Sequence, residues 1–434
     1  MPSEKVFTDS ADSLKTLIHG RLTTGAVTPV GIEAGGSLYA SVADIGPDIN
    51  SMWERLQVAE TSPLFYIQSL YGISSYRDIT AVTGAGTVTN VGGPYVLSTT
   101  AAGGDSATLR SALRGRISLS TAFDAGIVAR LTAAPAGNQK AAWGYTDGTD
   151  GAYFGQDATG VFIAIMRSGI ETTKVYQQNW NADRLDGTGA SGLTLSTTQY
   201  GHPYHVRFGQ NWGIIEYRIM LVDSSNILRD IICHRQAASV AQALLANADL
   251  PIWAYVENGG TAAPLTLNVH GRYFDNLGPI NPLLRSTGDR RLSQTVGNSA
   301  LVPTVAFRPK AIFPAGSGRI NSVRVFVDSF DIVTNNDLVW ELRFGSTLNA
   351  GATWGVPTNN SETACESCVN ATTIDVTTGN KVLSGLASAG QRTGLTSIPV
   401  DIDIPEGGTV TLAVMGIAAP SSSVSVDLRV REEW

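Results

Sequence analysis

At 15% charged and 43% hydrophobic residues, a chain of 434 amino acids has too few charges and too much buriable surface to remain a solvated coil. The 30 basic and 37 acidic residues sum to −7, and no dense Lys/Arg cluster supplies the footprint that phosphate neutralisation requires, so a nucleic-acid partner is not expected. Length sets a prior of about three domains. The 46 glycines, the many Thr, Val and Ser, and turn clusters roughly every eight to twelve residues predict an all-β chain of short strands.

The N-terminus, Met1-Pro2-Ser3-Glu4-Lys5, has no apolar signal core, and no stretch approaches the roughly eighteen apolar residues of a membrane span. A soluble protein made in the cytoplasm, with no membrane partner, is the expectation. Residues 1–75 differ in pattern from the rest of the chain and form a small mixed segment with short helices. Its better amphipathic pattern runs from Asp48 to Glu60, where Ile49, Met52, Trp53 and Leu56 share one face at i, i+3, i+4 and i+7; a weaker one spans Ser10 to Ile18. Each is too short to be stable alone and needs a surface to lie on. That surface is another protein, if the segment is a docking arm, or the body of this chain.

Residues 76–275 read as a lectin-like or jelly-roll β-sandwich. Val161 to Met166 is apolar on both faces, as in a strand covered by two layers. Asp157-Ala158-Thr159-Gly160 precedes it as a hairpin turn. Between Ile214 and Val222, Ile215, Tyr217, Ile219 and Leu221 alternate with Glu216 and Arg218. A helix is expected between Gln236 and Asp249, ended by Pro251. Residues 276–300, with Arg285, Arg290 and Arg291, read as a solvated linker. From 301 to 434 the alternation is cleanest, at Leu338, Trp340, Leu342 and Phe344, at Val400, Ile402 and Ile404, and at Val424, Val426, Leu428 and Val430. This predicts a second, Ig-like antiparallel β-sandwich.

Between the strands of the first sandwich lies a long polar stretch, Gln177 to Leu195. In it Asn181, Asp183 and Asp186 can form Asx turns, Gly187, Gly189 and Gly192 can take conformations closed to other residues, and Trp180 and Leu185 can anchor the loop on a core. Its run W-N-x-D-[KR]-L-D-G-T-G-x-S-G-x-T-L resembles a family of virion structural proteins of tailed bacteriophages. Three further blocks look similar to that family: Gly144 to Asp147 with Gly151 to Arg167, Arg207 to Val222, and Leu250 to Asn258. The resemblance implies a non-enzymatic component of the particle, either a capsid decoration or cement protein or a tail-attached fibre or baseplate part. It would partner with itself, in a homo-oligomer such as a trimer, and with major capsid or tail proteins.

For chemistry the sequence offers little. Asp147, Asp150, Asp157, Asp183 and Asp186 sit beside turn formers, where hydrogen bonding to the local backbone outweighs a catalytic role. The five histidines are scattered; His202 and His205 would share a face only on a turn, and no third zinc ligand presents itself. Calcium on the oxygen-rich loops Asp147 to Asp150 and Asn181 to Asp186 is the alternative to plain Asx turns, without a calcium-loop pattern behind it. No cofactor is expected. Cys365 and Cys368 form a lone C-x-x-C, read as reduced thiols or a local disulfide, and Cys233 as a core residue. Trp143, Tyr145, Tyr153, Trp180 and Trp212 would serve a host-glycan receptor module if exposed, although aromatics in sandwiches belong mostly to cores. A polysaccharide depolymerase is the remaining alternative.

Overall fold

The computed structural model describes residues 62–434 apart from 91, 116–121, 209–212, 239–243, 246, 248, 279–282, 358–361 and 396–401. Before them it describes two short paired strands, β1 (His19–Arg21) and β2 (Val27–Pro29). The chain divides into a unit Met1–Ile49 and a unit Asn50–Trp434. Both amphipathic patterns of the leader, including Ile49, Met52, Trp53 and Leu56, lie outside the described residues, as do Trp212 and Val400.

Among the described residues, fifteen strands build the first sandwich of the larger unit: β3 (Ser62–Gln68), β4 (Asp78–Thr83), β5 (Thr87–Asn90), β6 (Tyr95–Ser98), β7 (Ser106–Ser111), β8 (Ala122–Leu131), β9 (Lys140–Thr146), β10 (Gly151–Asp157), β11 (Gly160–Arg167), β12 (Ile170–Tyr176), β13 (His202–Phe208), β14 (Ile214–Val222), β15 (Leu228–Ala237), β16 (Ile252–Glu257) and β17 (Thr266–Leu277). Their pairings are antiparallel. One sheet has the order β12-β11-β10-β9-β16-β7-β4, the other β15-β14-β13-β8-β17-β6-β5, with β3 also on β17. Period-two alternation places Phe123, Tyr145, Phe208 and Phe274 between the sheets, where Phe123 stacks on Phe208 at 4.4 Å and on Phe274 at 5.1 Å between centroids. Burial of each such side chain contributes about 1.5–3 kcal/mol.

β11 is covered on both faces. Ile163 and Ile165 enter the main core, while Phe162 and Ala164 join Tyr153 on the far face, where Lys174 lies 4.0 Å from the Phe162 centroid. The Asp157 to Gly160 turn joins β10 to β11 with those two residues opposite one another, and Asp157 accepts the Thr159 amide at 2.8 Å.

The second sandwich has nine strands among the described residues: β18 (Leu284–Val296), β19 (Val302–Pro309), β20 (Arg324–Thr334), β21 (Leu338–Phe344), β22 (Cys365–Cys368), β23 (Asn380–Ala387), β24 (Arg392–Leu395), β25 (Val410–Gly416) and β26 (Ser422–Glu433). Its sheets run β18-β26-β20-β24 and β22-β19-β25-β21-β23. The alternating residues Leu338, Trp340, Leu342, Phe344, Ile402, Ile404, Val424, Val426, Leu428 and Val430 form its core.

Three boundaries differ from expectation. The first sandwich begins inside the leader, because Phe65 and Ile67 on β3 enter its core. The stretch 276–300 is no linker: β17 runs to Leu277 and β18 pairs with β26 over its length, its inward positions being Thr287, Asp289 and Val296, too few apolar ones for a periodicity to show. Arg291 there donates to the Pro303 and Ala371 carbonyls. Where a helix was expected, β15 continues to Ala237, and the described part of 238–249 is not helical. Cys365 and Cys368 are free thiols on a strand, and a spacing of three directs them to opposite faces, into two separate clusters.

The sandwiches meet at Glu406, whose carboxylate receives Arg114 at 2.9 Å and Arg110 at 3.2 Å. Arg114 is buried, so Glu406→Ala leaves its guanidinium with the more distant Asp147 and one carbonyl. The expected result is a loss of about 1–3 kcal/mol at this junction. Limited proteolysis should show it as faster cleavage between the sandwiches, with each remaining folded.

Candidate functional site: the outer face of the eight-stranded sheet

The loop after β12 is positioned first, because it closes one side of the first sandwich. A 3-10 turn at Gln177–Asn179 leads to Trp180, whose Nε1 donates to the Val175 carbonyl at 3.2 Å. Asn181 then imitates a strand: its side-chain amide donates to the Arg235 carbonyl at 2.8 Å, and its Oδ1 accepts the Arg235 amide at 2.9 Å. β12 and β15 are corresponding edges of the two sheets, and the loop fastens one to the other while Trp180 and Leu185 fill the core between them.

Asp183 organises the loop's interior, accepting the Leu185 amide at 2.9 Å and the Ser191 amide at 2.7 Å. Asp186 accepts the Thr188 amide and hydroxyl. Leu185 holds φ +52°, and Gly187 and Gly192 also lie in the left-handed region. Gly189 is required for space: a Cβ there would lie 2.0 Å from Asp183 Oδ1. Gly189→Ala should cost about 1–3 kcal/mol, read as a lowered Tm in calorimetry.

The other carboxylates singled out in the sequence are also engaged. Asp147 accepts the Thr149 and Asp150 amides, Asp150 accepts the Ser168 amide, and Asp157 takes Lys174 and the Tyr176 hydroxyl. Trp143, Tyr145, Tyr153 and Trp180 are all buried, so none is a surface platform. His202 and His205 point to opposite faces of β13, His202 toward the Ser196 carbonyl. Among the described residues no group of three His, Cys, Asp or Glu side chains could hold a metal ion.

What the structure assembles instead is a polar lattice on the face of the eight-stranded sheet turned away from the core. Register places Asp275, Asp124, Arg207, Glu216 and Arg235 in one row across β17, β8, β13, β14 and β15. The next row is Tyr66, Tyr273, Gly126, His205 and Arg218, across β3, β17, β8, β13 and β14. Directly opposed residues on antiparallel strands have Cβ atoms about 4.5–5.5 Å apart, within reach of one another.

His205 is the hub, with Nδ1 2.9 Å from Asp124 and Nε2 2.8 Å from Asp230. With a carboxylate on each nitrogen, both must carry protons. Burial alone would lower its pKa, but the two carboxylates outweigh that and hold it up at about 9. Burial opposes ionisation of Asp124 and Asp230 as well, yet His205 with Arg207, and His205 with Arg218, keep both below the usual carboxylate range. The chain of pairs continues from Arg218 to Glu216 at 2.7 Å and from Glu216 to Arg235 at 2.8 Å.

Tyr273 lies across Gly126, where a Cβ would meet its ring at 2.1 Å. Tyr66 stacks beside it with centroids 5.9 Å apart and planes 23° apart, and its hydroxyl donates to Asp275 Oδ2 at 2.7 Å. Tyr66 is 58% exposed, whereas Asp275 is 8% exposed and its Oδ1 has no hydrogen-bond partner. Burial, and the neighbouring Asp124 charge, push the Asp275 carboxyl up.

No described protein family matches the chain, and no curated protein sequence does. Among solved structures it is similar to peanut lectin with a 9mer peptide, at 12% identity and TM-score 0.32, covering 51% of this chain and 100% of that one. It is similar too to the basic winged bean lectin with Tn-antigen, at 10% identity and TM-score 0.32 over 51% and 100%. A third is a structure of endo-acting O-glycanases from the human gut microbiota, at 13% identity and TM-score 0.35 over 50% and 100%. The chain is an all-β protein whose antiparallel sheets pack as sandwiches.

Sequence reasoning placed Glu216 and Arg218 on an outward face and went no further. The signal for the rest was present as polar or aromatic pairs two apart within apolar strands, His205 with Arg207 and Tyr273 with Asp275, and as Asp124 two before the small Gly126.

Proposed function

We propose that this chain is a non-enzymatic structural protein of a tailed-bacteriophage particle, present in repeated copies and in contact with itself and with capsid or tail proteins. The observation that carries the reading is the state of the sheet edges. Among the described residues β4, β12 and β23 are outermost strands, and each carries an exposed apolar side chain, Val82, Ile170 and Leu386. Unpaired edge strands of this kind are templates for contact with another chain. The hub of the lattice fits the same reading. A general acid or base needs a proton or lone pair aimed at a substrate, and both nitrogens of His205 are committed to carboxylates. The block from Trp180 to Leu195 supplies the link to virion proteins.

Quantitative mass spectrometry of purified particles tests the proposal. Peptides of this chain in many copies per particle are expected; their absence ends it. A second reading, recognition of host-surface glycans, is favoured by the exposed Tyr66 ring beside the under-bonded Asp275.

A further inference from the structure

We infer that the Tyr66–Tyr273 pair, with Asp275 and Arg207 beside it, is a binding site for a neutral glycan, the pyranose seated on the exposed face of Tyr66. This rests on the glycan-recognition reading and gives it residues and a ligand class.

Tyr66 is the exposed end of the second row, on a strand that contributes Phe65 and Ile67 to the core and therefore holds the ring in place from below. Stacking on Tyr273 and the bond to Asp275 orient the ring in the unliganded chain. A tyrosine ring with one open face suits a pyranose, whose C–H face is apolar and whose rim is polar.

The rim needs donors and acceptors, and the lattice has two unfilled valences. Asp275 Oδ1 lacks a donor, and Arg207 Nε, on a side chain 7% exposed, lacks an acceptor. Both belong to the first row, with Asp124 between them. Leaving such groups unbonded is costly, and a hydroxyl, able to donate and accept, removes the cost. Tyr66 covers Asp275, and a turn of this exposed side chain about its own bonds opens the carboxylate to the hydroxyl.

Charge selects the class. Within the lattice around the tyrosines Asp124, Asp230, Asp275 and Glu216 are matched by His205, Arg207, Arg218 and Arg235, four against four, which favours neither a sialylated or uronic polymer nor a polycation there.

The full chain should be titrated against immobilised neutral hexose oligosaccharides of gluco, galacto and manno configuration, and against sialylated and uronic ones. Saturable binding to at least one neutral probe is expected, without binding to the anionic ones. Tyr66→Ala should weaken it at least tenfold, while Tyr66→Phe, which keeps the ring and loses the bond to Asp275, should keep most of it. Glycan binding that survives Tyr66→Ala unchanged overturns this site and leaves glycan recognition standing. Preference for anionic probes overturns the ligand class. Failure of the unaltered chain to bind any probe overturns both site and reading.

Discussion

Asp78→Ala should lower the stability of the first sandwich by about 3–5 kcal/mol, the largest single-residue effect expected in this protein. Asp78 opens β4 in one sheet, Arg272 sits on β17 in the other, and both side chains are fully buried where they meet. Asp78 also accepts the Ser74 amide at 3.0 Å. Arg272 has no comparable reserve: Nε and Nη1 are buried without partners, and the Tyr95 ring, 5.1 Å from the guanidinium carbon, is its remaining support. Removing the carboxylate strands a cation between two sheets. Removing both charges removes the problem, so Asp78→Leu combined with Arg272→Met should recover most of the loss. Two sandwiches in one chain make a single global unfolding free energy ill-defined, so hydrogen exchange at the β8 and β17 amides is the appropriate reading. A double variant as unstable as Asp78→Ala would show that the pair is needed for more than mutual neutralisation.

The second large effect is on pH dependence. The pKa of His205 rises from an ordinary 6.5 to about 9 in the folded chain, so the folded state binds the proton more tightly than the unfolded one. The stability this gives is fully present below pH 6.5 and is lost as pH climbs through about 9. For a side chain that is 2% exposed the difference corresponds to about 3 kcal/mol. Asp124 and Asp230 act in the opposite sense: their depressed values give stability that is present above the usual carboxylate range and lost on acidification. Stability of the first sandwich should therefore pass through a maximum. Urea midpoints measured between pH 6 and 10 should fall on the alkaline side, and His205→Asn should be flatter there. Equal slopes in the two proteins would mean that the hub does not carry the proton.

How far the sequence revealed these features depends on where each side chain gets its partner. Core strands of the second sandwich were legible because one wet face forces alternation, as at Leu338 to Phe344. β18 was not, since its inward Thr287 and Asp289 meet polar neighbours such as Ser367. β3 was assigned to the leader although Phe65 and Ile67 alternate with Tyr66, because so short a strand shows its role only once β17 lies beside it. The Trp180 to Leu195 loop was legible as a loop, its Asx-turn and glycine chemistry being local. The lattice drew its members from six strands, with Tyr66 and Asp275 209 positions apart, and register alone brings them into rows. No local pattern encodes that.

The central claim is that the two sandwiches serve as bulk and surface in an assembly. An image reconstruction of purified particles tests it most directly. The account predicts density for the paired sandwiches in symmetric, repeated copies, with β4, β12 or β23 against neighbouring protein. Mature particles of otherwise normal composition built without this chain would contradict it.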